Sequence, residues 1–159
     1  MTELIETRDE DFDWMLGGPP SRLGLVLPPG GVDDPETLAM VRAIHAAACA
    51  AGRPGAWMMV DGGEIVGLCG AVRPRGEAGE MEIGYGVAPE HRGQGHATRA
   101  VAAMVAIAGG DPALRTVTAV TAVGNIASQR VLSRNGFVEW GREVREEDGA
   151  VLLWKLPVR

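Results

Sequence analysis

The chain has 159 residues, enough for one domain with a sizeable core, and its hydrophobic fraction of 46% is ordinary for a globular protein. The net charge of −6 argues against a nucleic-acid partner or an anionic membrane, because phosphate backbones and acidic lipids repel an acidic protein. No apolar run approaches the roughly 18 residues of a membrane helix, and no signal-peptide pattern is present, so we expect a cytoplasmic protein.

The cysteine pattern gives no sign of a metal or redox centre. Cys49 and Cys69 form no CxxC or histidine-rich pattern, so neither a zinc site nor a redox dithiol is suggested. Each lies in an apolar run, which predicts two buried free thiols.

The first part of the chain predicts a short strand, residues 4–7, and a short helix, residues 9–16. Asp34 before Pro35 is a typical helix start and predicts a helix that runs to about Ala51. His45 within that helix is expected to be a surface or packed residue and not a ligand.

Other apolar segments of the first half predict a covering loop and two strands. Residues 23–27 are mostly apolar within a loop and should cover either core or a ligand. Residues 57–60 and 65–69 predict two strands joined by a hairpin turn at residues 61–63, and residues 73–79 predict another turn.

The second half of the chain predicts a strand–helix–strand crossover. Residues 81–87 predict a strand, residues 97–108 a helix with one apolar stripe, and residues 115–121 a β-branched strand. Such crossovers nearly always join parallel strands. A helix over residues 126–135, with Asn125 as its cap, and a hairpin over residues 137–156 complete the chain.

The turn before the crossover helix has the features of an anion site. Backbone N–H groups at a helix start have no partner within the helix and carry the positive end of its dipole. Gly93 and Gly95 allow an anion to approach that backbone, which indicates a pyrophosphate site, with a plain strand-to-helix turn as the alternative. A dinucleotide fingerprint would need a third glycine where Thr98 stands, and a P-loop would need a lysine that is absent there.

Two blocks of sequence resemble the GNAT N-acetyltransferases. Arg92-x-x-Gly95-x-Ala97 resembles the acyl-CoA motif of that superfamily, and residues 125–137 resemble its C-terminal motif. Together they are similar to the branch that includes the ribosomal-protein N-terminal acetyltransferases. The resemblance covers about residues 81–141.

The resemblance implies an α/β (α+β) fold in a single domain over residues 1–159. Its mixed, mostly antiparallel sheet would have six to seven strands with one parallel central pair and about four flanking helices. It also implies that acetyl-CoA binds in the gap between the parallel strands, with no metal. The residues that would contact it are Val87, Arg92, Gly93, Gln94, Gly95, His96, Ala97, Thr98, Asn125 and Arg130.

Acetyl transfer to an amine needs a proton acceptor, a held oxyanion and a protonated leaving sulfur. Glu82 is the candidate base, because strand alternation places it on one face with two glycines that leave room for a substrate. Ser128 is the candidate acid near the thioester. Tyr85 is a rival acid, but alternation places it opposite Glu82 and predicts a core residue. Each role has a structural alternative: Glu82 as a solvent-facing strand residue, Asn125 as only a cap, and Ser128 as a tolerated helix residue.

One arginine and two histidines are not expected to take part in the chemical step. Arg130 is either a phosphate contact or an exposed residue. His91 and His96 are expected to face solvent, since backbone groups bind the phosphates.

The function implied is transfer of an acetyl group from acetyl-CoA to a primary amine, either a protein N-terminus or a small amine. Direct attack in a ternary complex is expected, because no activated nucleophile is evident. A non-catalytic acyl-CoA-binding or regulatory module and a transferase for a longer acyl chain are the alternatives. The acceptor and the oligomeric state, monomer or homodimer, stay open.

Overall fold

The computed structural model describes residues 1–53, 55–72 and 79–159, so most of the predicted turn at residues 73–79 lies outside the described residues. Within these ranges one sheet of seven strands is flanked by four α-helices, as predicted. The strands are β1 (Glu3–Glu6), β2 (Ala56–Asp61), β3 (Glu64–Ala71), β4 (Glu80–Val87), β5 (Thr116–Ala122), β6 (Val138–Arg145) and β7 (Gly149–Pro157). The helices are α1 (Asp9–Met15), α2 (Pro35–Ala50), α3 (His96–Gly109) and α4 (Ile126–Arg134).

The sheet order is β1-β2-β3-β4-β5-β7-β6. Strands β4 and β5 are parallel and are joined by α3, whereas the other neighbouring pairs are antiparallel. The predicted parallel central pair and the final hairpin are therefore confirmed.

The sheet separates two cores, because side chains on successive strand residues point to opposite faces. On one face Val101 and Met104 of α3 pack with the central strands, and on the other Phe12 of α1 and Leu38 of α2 do so. We call these the α3/α4 face and the α1/α2 face. The apolar loop at residues 23–27 packs on the second core, so it covers core.

Side-chain caps fix the starts of two helices, as the sequence predicts. The Asp34 carboxylate accepts a hydrogen bond from the Thr37 amide at 2.8 Å, directly before Pro35. The Asn125 side chain accepts one from the Ser128 amide at 3.1 Å. Such caps replace the bonds that the first amides of a helix cannot make within it.

Strands β4 and β5 diverge halfway along β4. Their pairing ends at Ile83 and Ala119; beyond it, residues 84–87 pair only with β3, and the rest of β5 pairs only with β7. The result is a wedge-shaped gap in the middle of the sheet.

Backbone polar groups of β4 point into this gap. The Glu82 carbonyl accepts from the Val72 amide on the β3 side at 2.8 Å, and the Ala88 amide donates to Val66 on the same side at 2.8 Å. Because backbone groups alternate in direction along a strand, those of residues 85 and 87 face the opposite side, toward β5.

Candidate active site

The gap opens into a cleft of about 690 Å³ between the loop after β4, the start of α3 and one side of α4. Most of the predicted binding residues line this cleft. They are Val87, Arg92, Gly93, Gly95, His96, Ala97, Thr98, Asn125, Ser128 and Arg130. Gln94 does not line it; its side-chain amide donates to the Glu90 carbonyl at 3.4 Å.

The loop before α3 presents free backbone donors. Gly93 and Gly95 have φ of +76° and +84°, the left-handed region that glycine adopts without strain. The helix ladder begins with the Arg99 amide, which donates to the Gly95 carbonyl at 3.1 Å. Among the described residues, no acceptor takes a hydrogen bond from the amides of residues 93–98. These donors, at the positive end of α3, are available to an anion.

Three arginines make the cleft positive in an otherwise acidic protein. Arg92, Arg130 and Arg134 line it, and no ion pair joins them to a carboxylate in the described part of the chain. Arg92 Nε donates to the Val87 carbonyl at 3.1 Å, across the mouth of the gap. Arg134 was not predicted, although its position one turn after Arg130 on the same helix face was available as a signal.

The prediction that His96 faces solvent is wrong, since this residue is only 3% exposed. The Thr2 hydroxyl, which accepts from Arg99 Nε at 2.9 Å, lies 2.7 Å from His96 Nδ1, and Gln94 Oε1 lies 3.3 Å from Nε2. Burial, together with the Arg99 charge, lowers the pKa of His96, so the imidazole is neutral at neutral pH. The residues just before β1 cover the start of α3, and local sequence does not indicate that contact.

His91 is also not a solvent-facing residue. Its side chain is largely buried, its Nε2 lies 3.2 Å from Glu64 Oε1, and the residue lines the cleft. The prediction for this histidine is therefore wrong for the same reason, namely contact with a residue that is distant in the sequence.

A phenol and a hydroxyl meet where the cleft narrows into the gap. Tyr85 Oη lies 2.7 Å from Ser128 Oγ and donates to the Ser128 carbonyl at 3.3 Å. Burial raises the pKa of Tyr85, and the contact with Ser128 opposes that shift. The phenol is therefore protonated at neutral pH. The predicted face of Tyr85 is correct and its ring packs against the core, but its hydroxyl reaches the cleft.

Glu82 lies away from this pair along β4. It is paired with Thr118 inside the parallel ladder, one residue before the strands diverge. It does not line the cleft, and it does not line a second cavity that lies between α2 and strands β3 and β4. Its role as a base therefore stays a prediction.

A second cavity, of about 180 Å³, lies between α2 and strands β3 and β4. Tyr85 and Gly86 line both this cavity and the cleft, so the two spaces border the same part of β4, where it has left β5. The sequence does not indicate this cavity, because its walls come from four separate segments of the chain.

The two cysteines differ in their burial. Cys69 is buried and lines the second cavity, and burial raises its pKa to about 12, so it is a thiol and not a thiolate. Cys49 is exposed, so the prediction of two buried thiols is wrong for this residue. Cys49 lies among alanines, whose small side chains do not show which face of α2 packs against the core. His45 is packed, with its ring 5.7 Å from that of Phe12.

Comparison with known proteins identifies the family. A model described as an acetyltransferase (GNAT) domain matches residues 8–138. The chain belongs to this family. The predicted enzyme class, an acetyltransferase, is thereby confirmed, whereas the predicted branch within the GNAT superfamily is not. No curated protein matches the sequence significantly.

Solved structures of GNAT-family proteins share the fold. A spermidine/spermine N-acetyltransferase from Vibrio cholerae is 16% identical, with a TM-score of 0.71, 99% of this chain covered and 95% of that one. An aminoglycoside acetyltransferase in complex with coenzyme A is 15% identical, with a TM-score of 0.67 and the same coverage. A putative acetyltransferase from Bordetella pertussis is 24% identical, with a TM-score of 0.71 and coverage of 96% and 93%.

Among the described residues there is neither a membrane-spanning helix nor a cluster of metal ligands. None of the described helices is both long and apolar enough to cross a membrane. No group of three or more histidine, cysteine or acidic side chains in the same residues is arranged to hold a metal ion.

Proposed function

We propose that this protein transfers the acetyl group of acetyl-CoA to a primary amine by direct attack within a ternary complex. The observation that carries the proposal is the Tyr85–Ser128 pair, which lines the positive cleft beside the part of β4 that also borders the second cavity. The family membership of the chain supports the same reaction class.

The residues of the cleft fit the cofactor's chemistry. The free amides of residues 93–98 and the three cleft arginines suit a pyrophosphate and a further phosphate. The backbone groups of residue 85 and the amide of residue 87, which face the gap, suit the amide groups of a pantetheine arm, which would add to the sheet edge there. Bound acetyl-CoA would supply a thioester as the acyl donor.

Tyr85 is the group that we propose as the acid. Its phenol is protonated at neutral pH and lies at the inner end of the cleft, where the leaving sulfur is expected. Ser128 holds the phenol oxygen through the 2.7 Å contact, so Ser128 acts through Tyr85 as a positioning residue. The sequence predicts Ser128 as the acid and Tyr85 as a rival acid in the core, so this proposal takes the rival.

Glu82 is the group that we propose as the proton acceptor. Its side chain belongs to the α1/α2 face of β4, which the second cavity also borders. Because Glu82 does not line that cavity, a water would carry the proton from the amine.

Glu82→Gln tests the base directly. It should leave acetyl-CoA affinity intact and slow transfer by roughly two to four orders of magnitude, the usual contribution of a positioned base. The loss should shrink as pH rises toward the pKa of the amine, because the free amine needs no base. Near-normal turnover at neutral pH would contradict the role, and a loss that is constant with pH would indicate substrate positioning.

The function itself is tested with acetyl-CoA and a panel of amines that includes small amines, polyamines, an aminoglycoside and N-terminal peptides. We expect free CoA thiol and acetylated amine in equal amounts for at least one acceptor. CoA binding without transfer to any amine would favour the alternative of a non-catalytic binding module. Faster transfer from a longer acyl-CoA would favour the other alternative.

A further inference from the structure

The second cavity is mainly apolar and has one charged residue in its described lining. Its described side chains are mainly hydrophobic, and glycine and alanine supply much of the remaining wall. The apolar side chains include Met40, Val41, Ile44, Leu68 and Val72. Among the described residues that line the cavity, Asp33 is the one charged side chain.

Asp33 places a carboxylate oxygen close to Gly86. Its Oδ1 accepts a hydrogen bond from the Asp34 amide at 2.8 Å, which fixes the carboxylate at the start of α2. Its Oδ2 lies 3.8 Å from the position that a Cβ on Gly86 would occupy. Gly86 lines both the cavity and the cleft. The carboxylate is therefore close to the place where an acceptor nitrogen must lie.

The volume of the cavity sets the size of the part of the acceptor that it holds. An engineered apolar cavity of roughly 150 Å³ holds a benzene molecule. The present cavity, of about 180 Å³, has room for one ring with a short linker. The charges of a polycation that lie against these walls would lose water without gaining a partner, which is costly.

We infer that the acceptor is a primary amine with a single positive charge and a compact apolar body, and that Asp33 binds its ammonium group. This inference rests on the proposed acetyl transfer and specifies its substrate class. It separates the protein from the structures above that are named for spermidine and aminoglycoside acetylation. Those acceptors carry several charges or many polar groups, whereas this cavity presents one carboxylate among its described walls.

The test compares kcat/KM for 2-phenylethylamine, ethylamine, spermidine, an aminoglycoside and an N-terminal peptide at one fixed concentration of acetyl-CoA. We expect 2-phenylethylamine to be the best substrate. Asp33→Asn should raise its KM roughly 10–100-fold, the value of a hydrogen bond to a charged group. The affinity for acetyl-CoA should not change, because Asp33 does not line the cleft.

Two further variants control this experiment. Glu36→Gln removes a carboxylate from the exposed first turn of α2, outside the cavity, and should leave KM unchanged. Val41→Phe adds bulk to the cavity wall and should lower kcat/KM for 2-phenylethylamine more than for ethylamine.

The outcomes distinguish this inference from the proposed function. If spermidine, the aminoglycoside or the peptide is acetylated more efficiently than 2-phenylethylamine, the inference is overturned and the acetyl transfer stands. An unchanged KM in Asp33→Asn overturns the role of Asp33. Absence of transfer to every amine overturns the proposed function and, with it, the inference.

Discussion

At the residue scale, the phenol of Tyr85 has the environment of an acid. Burial keeps it protonated, and the contact with Ser128 fixes its oxygen at the inner end of the cleft. A thiolate leaves more readily when a positioned group donates a proton to it.

Tyr85→Phe tests this role, because it removes the hydroxyl and keeps the ring that packs in the core. We expect kcat to fall by roughly two to four orders of magnitude, with little change in the dissociation constant of acetyl-CoA. Ser128→Ala is the matched control and should cause a smaller loss, since the phenol remains. Normal kcat in the phenylalanine variant would show that another group protonates the sulfur.

His96 should make stability depend on pH. Its pKa in the folded protein is below the ordinary value of 6.5 because the imidazole is buried beside Arg99, with Asp61 acting in the opposite direction. The unfolded chain therefore binds a proton that the native state does not, and stability falls as pH drops below about 6.5. Above that value this contribution is constant.

Urea unfolding between about pH 5 and pH 8 measures this effect. His96→Gln should show a shallower loss of unfolding free energy on acidification than the parent chain. Above about pH 7.5 the two curves should run parallel, which serves as the internal control. Equal slopes across the acidic range would contradict the assignment.

At the element scale, the backbone conformation of the loop between β4 and α3 allows that loop to bind an anion. Gly95 caps α3 in the left-handed region, and a Cβ there would lie 2.7 Å from Arg99 Nη1. A side chain at this position both strains the backbone and enters the anion site.

Gly95→Glu should abolish the stabilisation that acetyl-CoA gives. In the parent chain, ligand at 100 times its dissociation constant adds about 2.7 kcal/mol, or about 5–10 °C in Tm for a domain of this size. Gly62→Glu is the matched control, because Gly62 has a φ of +59° and open space around it in the β2–β3 hairpin. Unchanged acetyl-CoA affinity in Gly95→Glu would contradict the site.

The elements were predictable because their signals are local. Asp34 with Pro35, and Asn125 before an amphipathic stretch, define helix starts within a few residues of sequence. The glycines of the anion loop are a local signal too. The predicted ends of strands and helices differ from the observed ones by about one residue in most cases.

The missed features depend on contacts between distant residues. His96 is buried by Thr2, 94 residues away, and Tyr85 meets Ser128 across 43 residues. Neither hydrophobic periodicity nor a helix cap indicates a contact between such distant residues. Strand alternation assigned the face of Tyr85 correctly, but it could not show that the side chain is long enough to reach the cleft.

At the scale of the whole molecule, the cleft and the cavity border the same part of β4 from different sides. The positive cleft lies beside α3 and α4, the apolar cavity lies beside α2, and both reach Tyr85 and Gly86 where β4 and β5 diverge. Two substrates entering from these two spaces would meet without leaving the protein. This arrangement favours direct transfer over a covalent enzyme intermediate.

A crystal structure of the protein with bound CoA tests this account most directly, through the position of the CoA sulfur. The account predicts the pyrophosphate on the amides of residues 93–98 and the pantetheine arm between β4 and β5. The sulfur should lie within hydrogen-bond reach of Tyr85 Oη, directly or through one water. A CoA molecule bound outside the cleft, or a sulfur remote from Tyr85, would contradict it.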